Sequence, residues 1–214
     1  MATPAFQKSG WRITAAAERK PPNDHPMMPT RGIACAVSLW LAACAQPQTL
    51  TIAPEVRVAG GEPGAGRPVQ LSVADKRASQ ALGDNPTYEA GDYTVRGDLA
   101  AIVREALSTG LTRLGFDPSA PAARELRVEI LALDYGIVER SGVSRHVEAG
   151  SRLRAQCVRD AKPALERTHR GELRKPVFLT ALEERANSAH ASAVVSDAIN
   201  ALLADRQLIA CLAQ

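Results

Sequence analysis

Residues 98–115 read DLAAIVREALSTGLTRLG, and residues 126–133 read LRVEILAL. In the first stretch, apolar residues recur every three or four positions between Asp98 and Gly115. This spacing predicts an amphipathic helix that Asp98 caps and Gly115 ends. The second stretch begins with alternating apolar and polar residues, which predicts a strand with one core face. Because the helix needs a sheet to cover its apolar face, the two stretches indicate a helix-on-sheet fold.

Strand and helix patterns continue on both sides of this pair. Residues 69–74 and 93–95 precede it as strands, and two further strands follow at 147–158 and 164–178. A second helix opens with a capping box, Thr180 to Glu183, and runs to Leu203. Strands and helices do not alternate strictly. The order predicts an α+β fold, with an antiparallel-dominated sheet of about four to five strands and two helices packed on one face.

The first 44 residues, which we call the leader, differ in pattern from the rest of the chain. Residues 32–43 read GIACAVSLWLAA, after Arg31 and before Cys44, which is typical of a secretory signal. As a helix this run spans roughly 18 Å, too short for the ~30 Å hydrocarbon core of a membrane. Leu41, Ala42 and Ala43 before Cys44 resemble a bacterial lipobox, in which a signal peptidase recognises the small residues and the cysteine carries the lipid.

The leader and its surroundings predict four regions. Residues 1–26 lack apolar periodicity and are interpreted as an N-terminal extension from a mis-assigned start codon. Residues 27–43 form the signal peptide, and residues 44–68 form the lipidated cysteine and a flexible, Gly- and Pro-rich tether. Residues 69–214 form the periplasmic α+β domain.

Charge excludes one class of partner. The chain has 26 Lys and Arg residues against 23 Asp and Glu residues, and the part after residue 44 has 21 of each. A body without net charge gives no electrostatic reason to expect nucleic acid as a partner.

Cysteine usage leaves two alternatives open. After loss of the signal and lipidation of Cys44, the chain keeps Cys157 and Cys211 in an oxidising compartment. The two residues either form a disulfide or are two buried thiols that never meet. No metal-ligand spacing accompanies them, so we expect no metal site.

Catalytic motifs are absent from the sequence. The four histidines, at positions 25, 146, 169 and 190, share no spacing and are interpreted as solvated. Asp75 and Arg77 lie two apart at the end of a strand, so they point to the same face and are predicted to form a structural ion pair. We therefore expect a protein that is not an enzyme and has no cofactor.

Several segments together resemble a known family. The lipobox is followed by Thr49-Leu-Thr-Ile52, by VQLSVADKRASQALG at residues 69–83 and by the Asp98-Leu99 helix opening. These segments resemble the YajG family of Gram-negative lipoproteins, and Asp75-x-Arg77 is the most specific of the matches. The resemblance implies a periplasmic domain anchored to the outer membrane, with no established catalytic residue or cofactor.

The leading functional hypothesis follows from the lipobox and the missing catalytic motifs. We expect a lipid-anchored module on the periplasmic face of the outer membrane that binds an envelope protein or polymer or assists envelope maintenance. Ala45 follows Cys44 where an Asp would retain a lipoprotein at the inner membrane. The first alternative is an auxiliary component of lipid or lipopolysaccharide transport, which requires an exposed apolar groove or a basic face. The second is a peptidoglycan hydrolase, which requires a nucleophile or a metal cluster in a cleft.

Overall fold

Three long strands make up most of the sheet. A computed structural model describes residues 48–58, 61–83, 92–119, 122–141, 144–177 and 184–214. Its strands are β1 Thr49–Leu50, β2 Gln70–Asp75, β3 Thr94–Val95, β4 Arg124–Ser141, β5 Ser144–Arg159 and β6 Lys162–Val177. Its helices are α1 Leu99–Arg113, α2 Glu184–Leu203 and α3 Arg206–Ala213.

The main sheet has the order β2-β4-β5-β6. Strand β2 runs parallel to β4, and β4, β5 and β6 are antiparallel to their neighbours. Strands β1 and β3 form a separate parallel pair. The α+β fold with an antiparallel-dominated sheet is therefore confirmed, with three helices in the described residues where the sequence pattern gave two.

A bulge changes which residues of β4 face the core. The register shifts between Ile130 and Ala132, so Leu131 is an extra residue relative to β5. Before the bulge Val128 and Ile130 are buried, and after it Leu133 and Tyr135 are buried. The bulge explains how an apolar run that does not alternate throughout can form one strand with a single core face.

The helices pack on the sheet through glycines as well as through leucines. Asp98 caps α1 by accepting hydrogen bonds from the amides of Ala100 and Ala101. Helix α1 contacts β2, and α2 contacts β5 and β6. A Cβ atom added to Gly171 on β6 would lie 1.9 Å from the Val194 carbonyl oxygen of α2. Only glycine therefore lets α2 lie this close to the sheet.

The C-terminal helix is a feature that the sequence pattern did not predict. Helix α2 ends at Leu203, and the Asp205 side chain then accepts hydrogen bonds from the Gln207 and Leu208 amides and caps α3. Leu208 and Leu212 of this short helix are fully buried. Helix α3 therefore completes the apolar core.

The region predicted as a flexible tether is partly packed. Within residues 44–68, Leu50 is fully buried and Ile52 is 4% exposed. The folded domain thus includes residues well before position 69. The lipobox, Leu41 to Cys44, and the capping box, Thr180 to Glu183, lie outside the described residues. Among the helices that are described, none is long and apolar enough to cross a membrane.

Candidate functional site

An extended segment, residues 51–58, lies along α2 and is fastened to it by a row of side chains. The amides of Thr51, Ala53, Glu55 and Arg57 donate hydrogen bonds to α2, at 2.7–3.0 Å. The acceptors are the hydroxyls of Ser188, Ser192 and Ser196 and the Oδ1 atom of Asn200. We call this arrangement the serine ladder.

The serine ladder can form because the spacing of alternate residues in an extended chain is close to the spacing of every fourth residue along a helix. Alternate residues of an extended chain lie about 6.6 Å apart, and residues four apart on a helix lie about 6.0 Å apart along the axis. The hydroxyls of Ser192 and Ser196 also donate to the carbonyl oxygens four residues earlier, both at 2.7 Å. Each of these two hydroxyls thus donates into its own helix and accepts from the extended segment.

The segment is also held on its other side. The Arg113 guanidinium of α1 donates to the carbonyl oxygen of Val56 at 2.7 Å, and Asn200 Nδ2 donates to that of Glu55 at 3.0 Å. Ile52 is buried and Val56 is half-buried. Residues 51–58 are thus hydrogen-bonded to both α1 and α2.

A buried polar group marks the beginning of this segment. The Tyr135 hydroxyl donates to Oδ1 of Asn187 at 2.8 Å, and Asn187 Nδ2 donates to Gln48 Oε1 at 3.2 Å. The ring of Tyr93 packs edge-on against Tyr135, with centroids 4.9 Å apart. Burial raises the pKa of Tyr135, so its phenol stays protonated and serves as a donor.

Open cavities flank the docked segment, among them a cavity of about 320 Å³ toward α1 and two larger ones. One, of about 710 Å³, lies between the segment and α2, with Ser188 and Ala193 among its lining residues. The other, of about 510 Å³, lies where the segment ends, next to the turn between α2 and α3. Leu114, Leu203 and Ile209 line this second cavity, and we call it the distal cleft.

Asp75 and Arg77 form the ion pair that their spacing indicates. Arg77 Nη2 lies 2.7 Å from Asp75 Oδ2, and its Nε lies 3.0 Å from Oδ1. The Arg77 side chain is only 4% exposed, and its Nη2 also donates to Gln80 Oε1 at 3.1 Å. These hydrogen bonds hold the pKa of Asp75 below its ordinary value. The pair fixes the chain after β2, and neither residue lines the cavities described above.

Cys157 and Cys211 lie at bonding distance. Their sulfur atoms are 2.14 Å apart and their Cα atoms 6.4 Å apart, so the structure joins β5 to α3 by a disulfide. Of the two alternatives that the sequence left open, the geometry matches the disulfide.

Three arginines on the face of the sheet away from the helices are paired with carboxylates. Arg127 pairs with Glu125 at 2.9 Å, and Arg174 pairs with Glu148 at 3.4 Å. Arg154 pairs with Glu129. These pairs reduce the positive charge of this face.

The described histidines lie on three different elements, β5, β6 and α2, and the interpretation of all of them as solvated is wrong for His169. His169 is buried, and its Nε2 atom lies 3.8 Å from Asp205 Oδ2, beyond hydrogen-bond distance. Burial lowers the pKa of His190, and Lys175 lowers it further. Among the residues that the structure describes, no group of three or more His, Cys, Asp or Glu side chains could hold a metal ion.

Sequence reasoning predicted the Asp75–Arg77 pair, left the pairing of Cys157 and Cys211 open, and missed the serine ladder. The signal was present as serines at positions 188, 192 and 196 and an asparagine at 200, four residues apart on one side of α2. Apolar residues at the alternate positions 52, 54, 56 and 58 were the corresponding pattern in the extended segment. The proline at 54 concealed it, because proline weakens the prediction of a strand.

Solved structures with a similar arrangement come from several bacteria. A Xanthomonas campestris protein of the DUF330 family shares 15% identity and a TM-score of 0.50, covering 72% of this chain and 91% of its own. A candidate lipoprotein from Caulobacter crescentus shares 12% identity and a TM-score of 0.35, covering 68% and 87%. A PelC dodecamer from Paraburkholderia phytofirmans shares 14% identity and a TM-score of 0.33, covering 71% and 95%. The first of these likenesses shows a shared fold.

The sequence itself matches a protein family. No curated protein matches the chain significantly. Residues 54–213, about three quarters of the chain, match the family described as uncharacterised lipoprotein. The matched region begins inside the docked segment and ends in α3, so it covers the Glu55 and Arg57 rungs of the serine ladder, the ion pair and both bonded cysteines. The chain therefore belongs to this YajG-type family of uncharacterised lipoproteins.

Proposed function

We propose that this chain is a lipoprotein anchored through Cys44 to the periplasmic face of the outer membrane, where it acts as a non-catalytic binding module. The serine ladder is the observation that carries the proposal. It fixes the residues that follow the lipobox to the body, from Thr51 to Arg57. Only five residues then lie between Cys44 and the buried Leu50, which an extended chain spans over at most about 22 Å. The domain would therefore be held close to the membrane.

Membership of a lipoprotein family supports the anchor. Each buried methylene of an acyl chain contributes about 0.8 kcal/mol, so two or three chains on Cys44 would hold the protein on a membrane without a spanning helix. Ala45 supports export to the outer membrane, because it does not match the inner-membrane retention pattern.

The experiment is a fractionation of three full-length proteins. The unmodified protein should sediment with the outer membrane. The Cys44→Ala variant should lose lipid and leave that fraction. The Ala45→Asp variant should keep its lipid and move to the inner membrane, which makes it the matched control for sorting. An unmodified protein found in the soluble or inner-membrane fraction would contradict the proposal.

A non-catalytic role is supported by the placement of the reactive side chains. The Cys157 sulfur is bonded to Cys211, and the Asp205 carboxylate is occupied by the amides at the start of α3. A hydrolase needs a nucleophile in hydrogen-bond contact with a base, and His169 forms no such pair with these residues. Cells lacking the protein should therefore show unchanged peptidoglycan cleavage products, and altered products restored by the unmodified protein would favour the hydrolase alternative.

A further inference from the structure

We infer that the distal cleft binds a single-chain anionic amphiphile, such as a long-chain fatty acid, with its chain on the apolar floor and its acid at the mouth. The inference deepens the proposed binding role and rests on it, since it names the class of ligand.

The floor of the cleft is made by hydrocarbon side chains from three parts of the fold. Val58 comes from the docked segment, Leu114 from the end of α1, and Leu203 and Ile209 from α2 and α3. The volume of about 510 Å³ lies within the ~300–1,000 Å³ that small-molecule sites occupy. It corresponds to about 17 groups of the size of a water molecule, at ~30 Å³ each, which suits one acyl chain better than two.

Two arginines lie at the mouth of the cleft. Arg57 and Arg206 are its only charged lining residues among those that the structure describes, and both are exposed. The side chain of Arg206 has no ion pair or hydrogen bond within the described ranges. A carboxylate or phosphate at the mouth would complement both guanidinium groups.

The carboxylates of Glu55 and Asp197 act on Arg57 and partly offset its charge, whereas Arg206 has no ion pair among the described residues. Glu55 pairs with Arg57 at 2.6 Å, but this pair is exposed, and a guanidinium has five N–H donors, so others stay available. Asp205 precedes Arg206, yet its Oδ1 accepts from two amides of α3 and its Oδ2 lies toward His169. An apolar floor with two cations at its edge favours an amphiphile over a sugar or a nucleotide.

The test uses isolated membranes that carry the full-length protein. They are mixed with a palmitic acid that bears a photoreactive diazirine, irradiated, and digested for peptide mapping by mass spectrometry. The label should concentrate on peptides that contain residues 57–63 and 204–210. Label spread over the chain without concentration there would overturn the inference.

Variants show whether the cleft itself takes the label. Ala210→Phe places a ring in the cleft from an exposed position and should lower labelling at least tenfold. Ala193→Phe makes the same exchange at an exposed α2 position outside the cleft and should leave labelling unchanged. If Ala210→Phe fails to fold, as judged by circular dichroism, Ala204→Phe replaces it. Equal labelling of a folded blocking variant and the control would overturn the inference.

Charge reversal tests whether the arginines at the mouth of the cleft bind the anionic head group. The double variant Arg57→Glu/Arg206→Glu should lower labelling several-fold, and Arg104→Glu, on the exposed side of α1, should not. Unchanged labelling in the double variant would overturn the assignment of an anionic head group.

Two further experiments identify the source of the acyl chain that occupies the cleft. A diazirine-bearing phosphatidylglycerol that labels the cleft as strongly as the fatty acid would contradict a single-chain ligand. The Cys44→Ala variant is labelled in whichever fraction contains it. Labelling that persists there shows that the occupant is not the protein's own lipid, and its loss from the folded variant would overturn the inference. Fractionation of the same membranes tests the anchor separately, so a labelled cleft in a protein outside the outer membrane would refute the anchor alone.

Discussion

The main-chain amide of Glu55 donates to the hydroxyl of Ser196 across 2.9 Å, although the two residues are 141 positions apart in the chain. This contact joins the segment after the lipobox to the middle of α2. It is the most buried rung of the serine ladder, because Ser196 is 8% exposed. An amide that pairs with a side chain instead of a neighbouring strand depends on that single side chain for its hydrogen bond.

Removal of one rung should loosen the segment. The Ser196→Ala variant leaves the Glu55 amide without its acceptor, so we expect the free energy of unfolding to fall by about 1–3 kcal/mol. Hydrogen exchange should become faster at the amides of Glu55 and its neighbours and stay unchanged in β5. Ser108→Ala in α1 is the matched control, since the structure uses only the backbone of Ser108 in a hydrogen bond. Equal exchange in both variants would show that the ladder does not hold the segment.

The ion pair after β2 should matter far more than an exposed pair. Arg77→Met leaves the Asp75 carboxylate in a largely buried place without its partner, which should cost about 3–5 kcal/mol of stability. Arg174→Met breaks a half-exposed pair with Glu148 and should cost about 1 kcal/mol or less. Chemical denaturation of both variants measures the difference. Similar costs for the two would refute a structural role for the Asp75–Arg77 pair.

The disulfide should stabilise the domain by restricting its unfolded chain. The bonded cysteines are 54 residues apart, and the chain-entropy relation gives about 4 kcal/mol for a loop of this length. Urea unfolding of the unmodified protein, with and without reductant, measures this difference. The Cys157→Ala/Cys211→Ala variant should be insensitive to reductant. Reductant that leaves the unmodified protein's stability unchanged would favour two unpaired thiols.

Acid should weaken the fold partly through His169. Burial lowers the pKa of His169 below 6.5, and the nearby Asp205 carboxylate only partly offsets this effect. Between the ordinary and the lowered pKa, the unfolded chain binds a proton that the folded protein does not bind, so stability falls as the pH drops through 6.5. Above about pH 7 both states are neutral at this residue, and its contribution is complete.

The measurement is urea unfolding at several pH values between 7.5 and 5. The His169→Asn variant should lose less stability over this range than the unmodified protein, since the carboxylates and His190 contribute to both. An identical pH dependence of the two proteins would show that His169 does not couple folding to protonation.

Local patterns were sufficient to predict the main elements of the fold. The helix after Asp98 and the strand around Val128 follow from apolar spacing, and the structure has both. The fold class followed from element order alone. These features depend on neighbouring residues, which one sequence displays directly.

Features that depend on distant contacts could not be predicted in this way. Strand β4 extends to Ser141 because a bulge at Leu131 lets Leu133 and Tyr135 face the core, and the bulge exists only through pairing with β5. Helix α3 is eight residues long, and such a short helix has a weak pattern of its own. It is held by burial of Leu208 and by the bond to Cys157.

The candidate site shows the same limit. The ion pair of Asp75 and Arg77 was predictable because two residues on one strand determine its geometry. The serine ladder and the distal cleft were not, because each combines the segment at 51–58 with helices more than a hundred residues later. Their residues are small or apolar, types that are common in any helical surface.

The intact mass of the mature protein, purified from the outer membrane, tests the central claim most directly. We expect a chain that begins at Cys44 and carries the added mass of two or three acyl chains, which Cys44→Ala lacks. A mature chain that begins elsewhere, or that begins at Cys44 without added lipid, would contradict the anchored-module account.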